Sequence, residues 1–591
     1  MKKNNGTATL VTWTAVVLLA FGGTRVQANS WMRSGNTITD ENGWVLKVAG
    51  VTGGLSLIGD AVQTKGTPSD VLDLSGAVSD GSNILQIADL AFRSSSAGTL
   101  RSVTLPNTLV TIGATVFGGQ TSLTNVTPLL PATVKTIGNS AFDGIPIGGV
   151  LDISSVTNLG TIVFRNTSIT SAVCGADLKT LPDRAFESCK SLRSAQLPSS
   201  LATLGINVFN GCTNLFTLTP FLPATVTAVG NSAFQSVPAP QALDLSSVTS
   251  LGNYVFRSAG LTSVVFSANL TLIDQYNFNS CKSLRSVQLP ANLLTLGQNA
   301  FSACTNLYEL QLPPTLVTIN ASALASCSRL TNVSPLLSAT VTAVGDSAFS
   351  GTPLGGAMDL SSVTNLGQQA FRTASGLTSV VFSAQLVTIP FYAFEGCSGL
   401  SSAQLPVKLG TVGERAFSGC SSLTSLSPAL PSTVTSIYAI AFSGVPYSNR
   451  IELLNPGYRV VNGQLFGSSK VSEWAFGVGV TNVADYAFDG TPGPCDFYFH
   501  GTAPTFKGNI IRGAAAYKCR FFAPRNDAGW DGFISTYVTP LTTAETNTYV
   551  ATWPDAPLPV GGWTPTSCTR QFVVLWSPSQ NANKGTVILI R

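Results

Sequence analysis

Cysteine, histidine and recurring aspartate are the residues of this chain whose types could do chemistry. A thiolate serves as nucleophile or metal ligand, and two thiols close a disulfide, but each use needs a partner at short range. Seven of the eleven cysteines, Cys189, Cys212, Cys281, Cys304, Cys327, Cys397 and Cys420, recur in one phase, three residues after an aromatic or its replacement Leu324. A residue tied to one place in a repeated unit reads as a small buried hydrophobe, with Ser or Gly taken as its replacement in other units. Stacked neighbours such as Cys281 and Cys304 could approach disulfide distance, but a ladder does not by itself supply the side-chain geometry, so reduced thiols are expected. No unit offers paired Cys or His at ligand spacing, which predicts no metal site. Cys495, Cys519 and Cys568 lie outside the phase, where one disulfide, Cys495 with Cys519, would suit an exported chain.

His500 is the chain's only histidine and lies in the aromatic run Phe497-Tyr498-Phe499-His500-Gly501. A Ser-His-Asp or Cys-His site would have to be built on it, yet no nucleophile-elbow motif is present, so it reads as structural. Asp152, Asp244 and Asp359 recur in matching Asp-Ile/Leu-Ser-Ser-Val segments, 92 and 115 residues apart. Those steps are four and five repeats, about 20 Å at the strand spacing for the shorter. Two carboxylates acting on one glycosidic bond must stand within about 5–10 Å. The aspartates therefore read as turn caps or strand-face residues. No catalytic residue and no cofactor is expected.

What must position these residues is a repeat. Its mark is a pair, Ala-Phe or Val-Phe in most units, whose second residue is Phe92, Phe117, Phe142, Phe164, Phe186, Phe209, Phe234, Phe256, Phe278, Phe301, Leu324, Phe349, Phe371, Phe394, Phe417 or Phe442. The fifteen steps are each 22, 23 or 25 residues. One unit reads Leu284-x-x-Val287-x-Leu289-Pro290-x-x-Leu293-x-x-Leu296-Gly297-x-x-Ala300-Phe301-x-x-Cys304. Val287 and Leu289 share one face of a strand, with Ser286 and Gln288 on the other. Pro290 stops the strand, Gly297 suits a tight bend, and the remaining apolar residues return inward at helix-like or turn-like spacing. A single unit has an open apolar face and cannot fold alone, whereas stacked copies close one another's core.

The pattern Leu-Pro-x-x-Leu-x-x-Ile/Leu-Gly-x-x-Ala-Phe-x-x-Cys resembles the BspA-type leucine-rich repeat of bacterial and some protist surface proteins, over roughly residues 70 to 490. The resemblance implies a leucine-rich-repeat solenoid, α/β to mostly β, with a parallel sheet on one face, an N-terminal cap and a β-rich C-terminal segment. Departures are Leu324, the residues replacing Cys, and the 25-residue units such as that containing Thr127-Pro128-Leu129-Leu130-Pro131. A right-handed parallel β-helix is the structural rival, and a single strand-then-proline per unit favours the leucine-rich reading.

Lys2 and Lys3, the apolar run Ala8 to Phe21 and the small-residue site Val26-Gln27-Ala28 have the layout of a secretory signal peptide. The expected organisation is signal peptide 1–28, N-terminal cap 29–70 with a hairpin at Asn42-Gly43, repeat array 71–492, C-terminal β cap 493–540, and linker with short β segment 541–591. Phe466 and Phe488 are expected as last rungs, with Phe476 competing for the phase. After cleavage 29 Lys and Arg face 28 Asp and Glu, a near-neutral balance that argues against nucleic acid. No later stretch is long and apolar enough to span a membrane.

The outward strand positions form a mostly uncharged stripe: Ser102 and Thr104, Ser194 and Gln196, Ser286 and Gln288, Glu309 and Gln311, Ser402 and Gln404, interrupted by Val265 and Val381. Solenoids bind along such surfaces. Arg165, Arg257 and Arg372, with Lys190/Arg193 and Lys282/Arg285, are expected to add a sparse basic line on another side. The resemblance implies a secreted or cell-surface adhesion protein with partners among host or neighbouring-cell surface proteins, matrix proteins or glycans. A self-associating cell-envelope component is the second reading, and a polysaccharide-active β-helix enzyme the third.

Overall fold

The computed structural model describes residues 30–506, apart from 43, 59–61, 64–69, 93–99, 239–241, 429, 449, 466–470, 472, 485–486, 488–494 and 503, and then 519–523, 539–540, 563–564, 572–578 and 584–590. The signal peptide, Phe466, Phe488 and Cys568 lie outside the described residues. Each rung of the array carries two short strands. The first is three or more residues long: Ser286–Gln288 pairs in parallel with Glu309–Gln311, which pairs with Asn332–Ser334. The second is two residues: Thr295–Leu296, Thr318–Ile319, Ala343–Val344 and Asn365–Leu366 form one parallel ladder. The expectation of one strand per rung is thus corrected. Two residues in extended conformation are too few to raise a period-2 signal above the surrounding apolar pattern.

Alternation builds the first strand. Val287 is 3 % exposed between the outward Ser286 and Gln288, and Leu289 is buried just before Pro290. The Leu293 N–H then donates to the Pro290 carbonyl at 3.1 Å, closing the turn into the second strand. Four of the 25-residue rungs place their extra residues here, after Thr127-Pro128, Thr219-Pro220, Ser334-Pro335 and Ser427-Pro428, whose peptide bonds are cis.

The third side of the rung contains no helix among the described residues. It is a run of turns in which Ala300 N–H donates to Gly297, Ser302 to Asn299 and Cys304 to Phe301, each at 3.2 Å. Residues two before and two after the ladder aromatic stand in the left-handed region, as with Asn299 (φ 54°) and Ala303 (φ 59°) around Phe301. A non-glycine residue there costs about 1–2 kcal/mol. The conformation persists because it turns the N–H groups of Asn299, Phe301 and Ala303 onto carbonyls of the next rung, Ala321, Ala323 and Ala325, at 2.8–3.0 Å. The rung therefore hydrogen-bonds to its neighbour on all sides, which a helix bonded within itself would not do.

Gly297 has a reason other than a bend. A Cβ there would lie 2.6 Å from the Ile273 carbonyl oxygen and 2.7 Å from the Asp274 carbonyl carbon, so the previous rung's backbone occupies the side-chain space.

All sixteen ladder positions are 0–1 % exposed, Phe301 included. From Phe92 to Phe301 the rings stack consecutively with centroids 5.1–5.7 Å apart. The stack resumes from Phe349 to Phe442 at 5.2–5.6 Å. Leu324, also fully buried, stands between the two runs. Leu, Ile and Val from both strands pack around this column as one core.

At the N-terminal end, Met32–Ser34, Thr37–Thr39 and Trp44–Val51 form an antiparallel meander. It reaches the second ladder through Gly54–Leu57, which pairs in parallel with Ile84–Ile87. Trp31 and Trp44 are buried beneath it. At the other end Ile451–Leu453, Glu473–Phe476, Cys495–Phe499 and Cys519–Ala523 pair in parallel within a separate sheet. Phe476 thus belongs to a strand of that sheet and not to the aromatic column, and the strand register sets Cys495 opposite Cys519.

Candidate ligand-binding face

The first strands set the ten stripe residues in two columns, paired within four separate short parallel sheets. Ser171, Ser194 and Thr217 are successive partners in one column, with Val173, Gln196 and Thr219 beside them. Ser286, Glu309 and Asn332 continue the first, and Gln288, Gln311 and Ser334 the second. Ser402 and Gln404 stand between Ser379/Val381 and Ser425/Ser427, while Ser102 and Thr104 adjoin Asn125 and Thr127. The glutamines are exposed and the serines half-buried. Adjacent rungs touch within one column where Asn125 Nδ2 donates to Ser102 Oγ at 3.0 Å.

Several members of this face were not singled out in the sequence, among them Asn125, Ser171, Thr217 and Asn332. Their strands are not followed directly by Leu-Pro as the chosen strands are, but they share the same alternation, which marks them. Asp152, Asp244 and Asp359 also stand in the second column, level with Val173, Val265 and Val381. Each accepts the N–H two residues on, from Ser154, Ser246 and Ser361, at 2.8–2.9 Å. Asp73 does the same with Ser75 and is a fourth copy.

The expected basic line is neutralised at two of its seven positions. Arg165 holds Asp143 through two hydrogen bonds of 2.8 and 2.7 Å, and Arg372 meets Glu395 at 2.6 Å. Arg257 lies 6.0 Å from the ring centres of both Tyr254 and Tyr276, themselves stacked at 4.7 Å. Lys190, Arg193, Lys282 and Arg285 lie instead where the chain enters the first ladder, and they form no ion pair among the described residues.

The seven phased cysteines are buried and free, as is Cys174. Each phased thiol donates to the carbonyl of the ladder residue one rung back, as Cys304 does to Phe278 at 3.0 Å and Cys281 to Phe256 at 3.1 Å. By position in the sequence their replacements are Ser95, Thr167, Thr352, Gln120 and the apolar Ile145, Val237, Ala259, Ala374 and Val445; Gly residues, and Ser residues such as Ser236 and Ser258, stand one place earlier. Thr167 Oγ1 donates to the Phe164 carbonyl at 2.8 Å, and Gln120 Nε2 to that of Phe92 at 2.7 Å, so the position serves a buried acceptor. Burial pushes the thiols of Cys281, Cys327 and Cys397 up to about 12, which keeps them protonated and unreactive.

His500 donates its backbone N–H to Phe476 at 2.9 Å. Burial of part of the ring, then the charge of Arg450, lowers its pKa below the usual value. Among the described residues no three His, Cys, Asp or Glu side chains converge as a metal site would require, and no helix is long and apolar enough to cross a membrane.

Residues 85–216, 128–241, 249–378 and 364–493 match the family described as BspA type leucine rich repeat region (6 copies). No curated protein matches the chain. Among solved structures, a leucine-rich repeat protein from Bacteroides ovatus is 20 % identical, with 64 % of this chain and 92 % of that one covered at a TM-score of 0.42. A leucine rich cell surface protein from Faecalibacterium prausnitzii is 19 % identical, with 67 % and 95 % covered at 0.36. The pneumococcal vaccine antigen PcpA is 16 % identical, with 69 % and 94 % covered at 0.34.

Proposed function

We propose, from the premise that this chain belongs to the BspA-type leucine-rich repeat family, that it is a secreted or cell-surface adhesion protein. Residues 1–28 direct its export and are removed. The array 71–492 then presents the first-ladder face to a protein or glycan on a host cell, a neighbouring cell or a matrix, with 29–70 and 493–540 covering the ends and 541–591 following as a linker with a short β segment. Ser102, Thr104, Ser194, Gln196, Ser286, Gln288, Glu309, Gln311, Ser402 and Gln404 are the contact residues in this reading.

The observation that carries it is the division of each strand. Inward residues such as Val287 and Leu310 are 0–3 % exposed and committed to the core, while the outward residues repeat in columns with polar groups left open to solvent. A ligand crossing many rungs gains many weak hydrogen bonds, each worth about 0.5–1.5 kcal/mol net, without any one residue being decisive. The groups it presents are hydroxyls, amides and single carboxylates, which suit hydrogen bonding to a ligand, so binding is the function assigned.

The test is capture of matrix proteins and a glycan panel by the full secreted chain. Retention of a ligand, weakened by paired Gln196→Glu and Gln288→Glu substitutions, supports the reading. Failure to retain any ligand, or assemblies that grow with concentration and bind nothing else, overturns it.

A further inference from the structure

One basic and aromatic cluster occurs twice, 92 residues apart. Lys190-Ser191-Leu192-Arg193 is followed one rung later by Thr213-Asn214-Leu215-Phe216, and Lys282-Ser283-Leu284-Arg285 by Thr305-Asn306-Leu307-Tyr308. In both copies the leucines are fully buried, which turns the residue after each of them outward just ahead of the first ladder. Both copies are held alike: Asn214 Nδ2 donates to the Lys190 carbonyl and Asn306 Nδ2 to that of Lys282, each at 2.7 Å. The Phe216 N–H meets the Arg193 carbonyl at 3.0 Å and that of Tyr308 meets Arg285 at 2.9 Å, setting an aromatic one rung beyond an arginine.

Phe216 is 51 % and Tyr308 48 % exposed, unusual for large rings in a fold that buries its ladder aromatics completely. The second copy gains Arg329 from the next rung, and Thr262, Ser283, Arg285, Asn306, Tyr308 and Arg329 line an open groove of about 580 Å³. Arg285 and Arg329 have no carboxylate partner among the described residues, whereas Arg33, Arg101, Arg165, Arg184, Arg372, Arg415 and Arg450 all do. Glu309, next to Tyr308, belongs to the strand-face column and meets Asn332 Nδ2 at 3.5 Å.

We propose that this groove binds an acidic polysaccharide, with Arg285 and Arg329 holding a carboxylate or sulfate and Tyr308 packing against a sugar ring. Guanidinium groups bind such oxyanions in bidentate fashion, and the exposed ring supplies a flat apolar surface with a polar tip. The first copy, at Arg193 and Phe216, is a second and weaker contact on the same edge. Four rungs, about 20 Å at the strand spacing, separate the two. A polymer long enough to cover both gains from simultaneous engagement, which a single sugar acid cannot. The proposal rests on the binding reading given above and narrows its ligand.

Titration of the full chain with polygalacturonate, dextran sulfate, uncharged dextran and polyglutamate tests it. Polygalacturonate or dextran sulfate should bind, each weakening as salt rises, and the stronger of the two identifies the anion. Arg285→Gln with Arg329→Gln should weaken that polymer about tenfold or more, and Arg193→Gln should reduce the long polymer but not a short oligomer. Tyr308→Ala should weaken polymer binding without moving the thermal midpoint. Equal binding of dextran, equal binding of polyglutamate, or unchanged affinity in the double variant overturns the proposal. If the variants leave capture of a protein ligand intact while the acidic polymers never bind, this inference fails and the adhesion reading stands.

Discussion

Truncating one ring of the aromatic column tests whether stacking between rungs holds the array together. Phe256 is fully buried and lies between Phe234 and Phe278, with ring centroids 5.5 Å away on each side. Phe301 is equally buried but has a ring on one side only, Phe278 at 5.1 Å, with Leu324 on the other. Phe→Ala in a close-packed core costs about 3–5 kcal/mol. Each ring pair adds about 0.5–1.5 kcal/mol beyond its buried area. Phe256→Ala should therefore cost about 1 kcal/mol more than Phe301→Ala. Phe256→Leu should cost clearly less than either, since Leu324 shows that a rung accepts leucine in this place. Guanidinium unfolding followed by far-ultraviolet circular dichroism gives the differences. Equal losses at both positions, or a loss below about 1 kcal/mol at Phe256, would refute the claim that ring contact between rungs contributes to stability.

Four further outcomes follow. The eight buried thiols should resist a thiol reagent at pH 8 in the folded chain and react on unfolding. Their pKa values are raised above the ordinary 9.0, to about 11 for Cys189 and about 12 for Cys281, Cys327 and Cys397, so the folded state favours the protonated form. That stability is complete below pH 9 and is lost as pH rises toward 12, by up to about 1.4 kcal/mol per pH unit for each thiol; a pH-independent midpoint across that window contradicts it. Gly297→Ala, whose Cβ would meet the Ile273 carbonyl oxygen at 2.6 Å, should cost about 1–3 kcal/mol, and an unchanged midpoint would count against the tight approach of rungs. Ala303→Gly should stabilise by about 0.5 kcal/mol, relief of the left-handed backbone outweighing glycine's entropy; calorimetry showing a loss would remove the strain argument. Asp244→Ala, which deprives the Ser246 N–H of its acceptor, should cost about 1 kcal/mol without altering ligand capture, and loss of capture would move Asp244 into the site.

The aromatic column was legible because a core position filled by one residue type in every unit repeats its letter, and Phe92 to Phe442 do so with a single exception. The stripe was legible from alternation alone, since a strand with a buried Val287 must send Ser286 and Gln288 outward. The turns around each Phe were not. Residues as unlike as Tyr276, Asn299, Ala303 and Arg415 share the left-handed conformation, which stacking imposes and no residue type announces. The cysteine phase was read correctly as buried, but its hydrogen bond to a carbonyl one rung back depends on a neighbour 25 or 26 residues away. Arg165 misled for a related reason: its partner Asp143 is 22 residues distant and adjacent only after stacking. Contacts between rungs are long-range in sequence, so the inward pattern survives a linear reading and the pairing of side chains does not.

The central claim is that rungs from Phe117 to Phe442 form one continuous stack, each bonded to the next through backbone amides such as Phe301 N–H to the Ala323 carbonyl at 2.8 Å. Hydrogen exchange of those amides tests it most directly. The account predicts slow exchange at successive ladder aromatics without interruption from one end of the array to the other. Rapidly exchanging gaps recurring between rungs, isolating each as a separate unit, would contradict it.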